Sequence, residues 1–278
     1  MALLQAAHSN PGADIVLLGD SLNRHLGSLV RHVDAKQYWA RAHALGKVFK
    51  NYSSNAPAFE LVCLQRWLCL LEWLQAEGHE ACLYLDTDVL LYTDAAEAMA
   101  NLGQPGMTVA GISGHTNFIG RRETLLRFAH HIELAYTEPS AHRAQDALAA
   151  KYADFMRSHT AGGISDMTFF TEFRALNPAE VLDIAEPKEG VAYDITIDYT
   201  KHFEEANGLK KIEMRGGQPY ATARGTGQQV RMGTLHFQGA SKAQMGQYFT
   251  GDMARLRAME WRNNLAVLVW KIKRRIFG

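Results

Sequence analysis

The chain has 278 residues, enough to bury a substantial core as one large α/β domain or two small ones. Lys+Arg and Asp+Glu stand at 29 each and 47% of residues are hydrophobic, an ordinary globular balance that gives no electrostatic case for nucleic acid. The 3 cysteines, Cys63, Cys69 and Cys82, sit in apolar surroundings outside any CxxC pair, which argues against a disulfide framework or a cysteine-built zinc site and predicts reduced, buried thiols.

The amino-terminal stretch MALLQAAHSNPG lacks the basic region and the long apolar run of an export signal, so a cytoplasmic protein is expected. ADIVLLGDS (13–21) predicts a first strand turned at Gly19–Ser21, and a helix follows near 35–47. FELVCLQRWLCLLEWL (59–74) is apolar almost all round and predicts a helix buried on most sides, started by Asn55 and Pro57 and ended by Gly78. Arg66, in the middle of that helix, must meet an anion, either a protein carboxylate or a ligand phosphate.

The next stretch, LYLDTDVLLY (83–92), is an apolar strand carrying two acids, Asp86 and Asp88. On a strand, residues i and i+2 share a face, so the two carboxylates project together, their β-carbons about 7 Å apart. Two unpaired anions beside an apolar run are costly, unless a divalent cation sits between them or they face a cleft at the strand's carboxyl end. The plainer alternative is a strand ending in a solvated turn at Asp86–Asp88, against which the apolar run resumes at once. MTVAGIS (107–113) predicts a strand, RRETLLRFAHHIELAY (121–136) an amphipathic helix, and AGGISDMTFFTEF (161–173) a glycine turn running into a helix. This strand–helix rhythm implies a parallel-cored sheet with helices on both faces. From 181 to 235 the texture changes: DITIDYT, KKIEMR and QQVRMGTLHF, separated by glycine-rich turns, predict antiparallel additions. The stretch TLHFQGASK supplies His236, Gly239 and Lys242: an imidazole that can complete a Mn²⁺ or Mg²⁺ shell, a glycine that lets backbone amides approach a phosphate, and a mobile cation.

The tail, 252–278, holds seven basic residues against two acids, interleaved with Trp261, Trp270, Ile272, Ile276 and Phe277. It reads as a basic amphipathic helix, suited either to peripheral contact with an anionic membrane surface or to closing the domain. No run of 18 apolar residues occurs, so no spanning helix is predicted.

D-x-D after an apolar strand, with H-x-x-G-x-x-K near the carboxyl end, resembles the GT-A glycosyltransferases, and within them the glycogenin and lipopolysaccharide-galactosyltransferase type. The resemblance implies a GT-A-like nucleotide-sugar-binding α/β fold, with a mixed, mainly parallel sheet, helices on both faces and small antiparallel additions. It spans roughly 13–242 and implies a catalytic domain over 1–251, with a donor-binding half at about 13–120 and an acceptor- and metal-closing half at about 121–251.

By that likeness Asp86, Asp88 and His236 hold the metal, Mn²⁺ or Mg²⁺, and Asp86 also reaches the donor ribose. Gly239 and Lys242 meet the diphosphate, and Arg66 lies near the donor. Asn117, in GHTNFIG, faces the donor sugar, and Asp166, in GGISDMT, acts on the donor or acceptor side. In this sequence Met167 follows Asp166 where the family has Gln, and Ala243–Gln244 follow Lys242 where it has Pro-Trp. The implied activity is transfer of a sugar from a nucleotide sugar, a UDP-sugar before others, to a glycan, lipid-linked or protein hydroxyl, with retention favoured. In a retaining reaction the leaving phosphate takes the acceptor proton; in an inverting one Asp166 takes it. As an alternative role, Asp166 is a helix N-cap. The rival readings are a haloacid-dehalogenase-like phosphatase with Asp86 as nucleophile, and a non-catalytic nucleotide- or sugar-binding module.

Overall fold

The computed structural model of the chain describes residues 1–259 and 261, and most of the basic tail expected over 252–278 lies outside them. Helix α1 (Ala2–Ser9) leads to β1 (Val16–Gly19), which pairs in parallel with β2 (Arg31–Asp34). After α2 (Ala40–Val48) comes α3, Pro57–Glu77, with Pro57 in its first turn and Gly78 ending it in a left-handed conformation (φ 73°). Leu64, Trp67, Leu68, Leu71 and Leu74 of α3 are fully buried, each contributing about 1.5–3 kcal/mol of apolar burial. The helix is not covered all round: Phe59 and Val62 are 60% and 52% exposed.

The segment read as one acid-bearing strand is two. Strand β3 (Cys82–Leu85) pairs antiparallel with β6 (Thr116–Ile119), whereas β4 (Val89–Leu91) pairs antiparallel with β13 (Gln229–His236) in another sheet. Asp86, Thr87 and Asp88 form the turn between them, closed by the Val89 N–H on the Asp86 carbonyl at 3.2 Å. The acids therefore stand at the carboxyl end of β3 and do not share a strand face.

Helix α4 (Ala95–Asn101) leads to β5 (Met107–Val109), which pairs in parallel with β7 (Val181–Asp183). Three helices fill the chain between β6 and β7: α5 (Arg122–Thr137), α6 (Ala141–Phe155) and α7 (Asp166–Leu176). Strand β8 (Val191–Tyr193) runs parallel to β13. Beyond it, β9 (Glu205–Ala206) pairs with β10 (Leu209–Lys210), and β11 (Ile212–Arg215) and β12 (Gln218–Thr222) build an antiparallel ladder onto β13. A 3₁₀ turn at Gly239–Gln244 and a short α8 (Met245–Tyr248) follow.

The chain is thus mixed α/β, but the expectation of a mainly parallel sheet is corrected. The sheets are small, split and mostly antiparallel, because the chain after β3 returns through β6 in the opposite sense and β13 pairs antiparallel with both β12 and β4. The interior is divided accordingly. One core gathers α2, α3, α5 and α7 around Trp67, Phe128, Phe169 and Phe170. A second gathers Leu90, Tyr92, Ile197, Val230, Leu235, Phe237 and Phe249, with Leu4 and Leu256 from the two ends of the described chain. The acid turn bridges the two: Tyr84 packs on the first core and Leu90 lies in the second. Among the described residues no helix is long and apolar enough to cross a membrane.

Candidate active site

Arg66 meets two carboxylates. Its guanidinium donates from Nη1 to Asp86 Oδ1 and from Nη2 to Asp166 Oδ2, both at 2.6 Å, and lies over the rings of Trp67 and Tyr84 at 5.0 and 5.6 Å. The Tyr84 hydroxyl donates to Asp86 Oδ1 at 2.7 Å, and Trp67 Nε1–H to Asp166 Oδ2 at 3.2 Å. Burial pulls the Arg66 pKa down, but Tyr84, Asp166 and Asp86 outweigh it, so the guanidinium stays charged. Burial, and then the neighbouring carboxylates, push the Tyr84 hydroxyl well up, so it remains a donor. The Arg66 Nε is buried without a protein partner.

Asp166 is the first residue of α7, not its cap. Ser165 is the cap, in a reciprocal capping box with Thr168, and this leaves the Asp166 carboxylate for Arg66 and Trp67. The approach to α7 depends on Gly163, whose φ of 153° few side chains adopt and where a Cβ would stand 2.2 Å from the Tyr52 carbonyl oxygen.

A second ion cluster forms on the other acid. Asp88 lies 3.0 Å from Lys242 Nζ through Oδ2 and 3.6 Å from His236 Nε2 through Oδ1. Burial raises the Asp88 pKa, yet His236 and Lys242 outweigh it and hold the carboxyl at about 2. Burial lowers the His236 pKa, but Asp88 and the Ile195 carbonyl overcome it and the net shift is upward. His236 Nδ1 sits 2.6 Å from the Ile195 carbonyl oxygen, and its ring stacks on His115 with centroids 3.9 Å apart. A carbonyl can only accept, so His236 carries its proton on Nδ1 and turns Nε2 to Asp88. Burial, then the His236 ring, push His115 down to about 3, so it stays neutral.

Arg66, Asp86, Asp88, Asp166, His236, Gly239 and Lys242 all line one cavity of about 1760 Å³, larger than the roughly 300–1,000 Å³ of ordinary ligand pockets. Gly239 adopts φ 58° at its edge. Asn117 does not join them. Its side chain is fully buried between β5 and β6, with Oδ1 accepting the Thr108 N–H at 3.1 Å, while Thr108 Oγ1 accepts the Phe118 N–H at 2.8 Å. It is a sheet-bridging residue, and its expected position facing a donor sugar is corrected.

Two groups were not expected from sequence: His115 with Ser113, and the buried Asp194–Lys210 pair behind His236. A charged residue inside an apolar stretch, the cue that singled out Arg66, is carried by Asp194 in YDITI as well.

The residues fit a divalent cation in part. His236 has its Nδ1–H on a backbone carbonyl, the bond by which metal-bound imidazoles are usually oriented, and presents Nε2 beside the Asp88 carboxylate. The Asp86 carboxylate is held instead by Arg66 and Tyr84, and among the described residues no group of three His, Cys, Asp or Glu side chains converges closely enough to hold a metal. Comparison of the chain with protein-family models, curated proteins and solved structures gives no match.

Proposed function

We propose that the chain is a metal-dependent glycosyltransferase of GT-A-like fold, moving a sugar from a nucleotide sugar, a UDP-sugar first among them, to a hydroxyl acceptor. The observation that carries the reading is the convergence of Arg66, the 86–88 turn, Asp166 and the His236–Lys242 segment on one cavity.

The charge balance supports it. Three carboxylates, Asp86, Asp88 and Asp166, face two permanent cations, Arg66 and Lys242, which leaves the site net negative and unfit for a diphosphate by itself. One divalent cation reverses that sign. Asp88 and His236 would hold it, and Mn²⁺ suits a mixed carboxylate–imidazole set better than Mg²⁺ does. Bound there, the cation supplies Lewis-acid neutralisation of the leaving diphosphate. Lys242, exposed over much of its length, is free to exchange Asp88 for a phosphate oxygen. Gly239 gives that phosphate room against the backbone.

Asp166, fixed by Arg66 and Trp67, orients the sugar or the acceptor hydroxyl; in a retaining reaction the leaving phosphate accepts the proton. In the phosphatase reading Asp86 is the nucleophile, but its Oδ1 already accepts from both Arg66 and Tyr84. The acceptor is a glycan, a lipid-linked sugar or a protein hydroxyl, and the basic 252–278 segment suits work at an anionic membrane surface.

Calorimetric titration of UDP and GDP, with and without Mn²⁺, into the wild-type protein and Asp88→Asn tests the reading. Mn²⁺-dependent binding of UDP, lost in the folded variant, is expected. Absence of binding of either nucleotide to the folded wild-type protein overturns it.

A further inference from the structure

Behind His236 lies an ion pair with almost no access to water. Lys210 Nζ is 2.7 Å from Asp194 Oδ1, with side-chain exposures of 2% and 0%. Replacing such a pair by apolar residues of similar volume is commonly neutral or stabilising, so stability alone does not call for it.

The Asp194 N–H goes to Thr234 Oγ1 at 3.2 Å and the Lys210 ammonium lies over the rings of Tyr199 and Phe203 at 5.8 Å, but the other bonds of the two side chains, and the Asp194 carbonyl, lead towards the two imidazoles. Lys210 Nζ also donates to the Thr196 carbonyl at 2.5 Å, so one ammonium holds both ends of the three-residue strap Asp194–Ile195–Thr196. The middle carbonyl of that strap, Ile195, is the one that accepts from His236 Nδ1–H. The other Asp194 carboxylate oxygen accepts the His236 backbone N–H at 3.1 Å, and the Asp194 carbonyl accepts from His115 Nε2 at 2.7 Å. The Ile197 N–H then closes on the His236 carbonyl at 2.9 Å.

We infer that the buried Asp194–Lys210 pair is a positioning device: it pins the 194–196 strap so that His236 is held in its Nδ1–H tautomer with Nε2 turned to Asp88, and sets His115 in the opposite tautomer as the stacked wall behind it. This rests on the proposed reading for its purpose, since a fixed Nε2 lone pair is what a cation beside Asp88 requires. The geometry itself does not depend on that reading. Removing one outer-shell partner of a metal-bound histidine costs about 10–100-fold in metal affinity. Lys210→Met removes both donors from the strap and leaves Asp194 unpaired.

The test has two readouts on full-length protein. The first is the tautomer of His236 and His115 by ¹⁵N-imidazole correlation spectra of metal-free protein, recorded across a pH series and read above the titration that the His236 signals themselves show. His236 is assigned through His236→Asn. In the wild type, His236 is expected protonated on Nδ1 and His115 on Nε2; the reverse tautomer at His236 overturns the inference, whether or not any variant folds. In folded Lys210→Met, His236 is expected to become a mixture of tautomers, and an unchanged spectrum also overturns it. The second readout is the Mn²⁺ dissociation constant by titration with the metal alone, expected to weaken about 10–100-fold in Lys210→Met. A change under about twofold in the folded variant overturns the link from strap to metal. A wild type with the expected tautomers that binds no Mn²⁺ rejects the metal reading of the site and not the positioning.

Discussion

Replacing Arg66 by Met leaves two carboxylates facing a hole where a cation stood. Asp166, 5% exposed, would keep only the Trp67 Nε1 bond, whereas the Asp86 side chain, 22% exposed, keeps the Tyr84 hydroxyl and some water. Removing one partner of a buried ion pair costs about 3–5 kcal/mol. Because one of the two carboxylates is partly hydrated, the lower end applies, about 3 kcal/mol, or a fall in Tm of about 6–12 °C for a chain of this size. The uncompensated charge on Asp166 is the main source of that cost, so Arg66→Met/Asp166→Asn is expected to be less destabilised than the two single changes summed, with about 2 kcal/mol of coupling. Urea unfolding of the four proteins of the cycle, followed by far-ultraviolet circular dichroism, measures it. A cost below about 1 kcal/mol for Arg66→Met, or additive single changes, would refute the reasoning that Arg66 is the charge holding Asp86 and Asp166 in place.

Asn117→Ala leaves the buried Thr108 N–H without its acceptor and is expected to cost about 1–3 kcal/mol while Mn²⁺-dependent nucleotide binding persists; loss of binding in a folded variant would return Asn117 to the site. Cys63 lines the cavity, and burial, followed by the Asp166 charge, pushes its thiol up to about 12. Its alkylation by iodoacetamide, mapped by peptide mass spectrometry, is therefore expected to be slow at about pH 8, with roughly one thiolate in 10⁴, and to speed up about tenfold per pH unit towards pH 12. Fast labelling that does not change between about pH 7 and 9 would contradict this. Leu256 is packed in the second core, so the membrane reading of the tail is tested by removing only 260–278. Sedimentation with anionic vesicles is expected to fall sharply, since each basic residue near such a surface contributes about 1 kcal/mol, and unchanged sedimentation ends that reading.

The sequence exposes some of this fold because punctuation and periodicity coincide. Pro57 and Gly78 bracket a largely apolar run, so α3 was readable almost to its ends, and Arg66 stood out as the one cation within it. The acid turn was hidden for the opposite reason. Apolar residues resume immediately after Asp88, and nothing local tells that Tyr84 and Leu90 are destined for different cores; the partner that decides it, β13, lies far along the chain. DITIDYT reads as a strand by its β-branched residues, yet the carbonyls of Asp194, Ile195 and Thr196 serve His115, His236 and Lys210 instead of a ladder. Asn117 carries the residue type of a sugar contact, and only the packing of β5 beside β6 shows its Oδ1 taken by the Thr108 N–H and its whole side chain buried away from the cavity. His236 and Lys242 were legible as a spacing, and their meeting with Asp88 was expected only by resemblance, since the residues alone do not tell how β4 and β13 are aligned.

The turn at 86–88 also has a mechanical side. Asp86 is fastened through Arg66 to the helices of the first core, and Asp88 answers to His236 and Lys242 at the end of the strand that runs through the second. Three residues of backbone join these anchorages, so sliding one core against the other is felt first as a change in the gap between the two carboxylates. A molecule gripping both ion clusters acts as a rivet across that seam. Its grip resists shear between the cores, and shear in turn opens the grip.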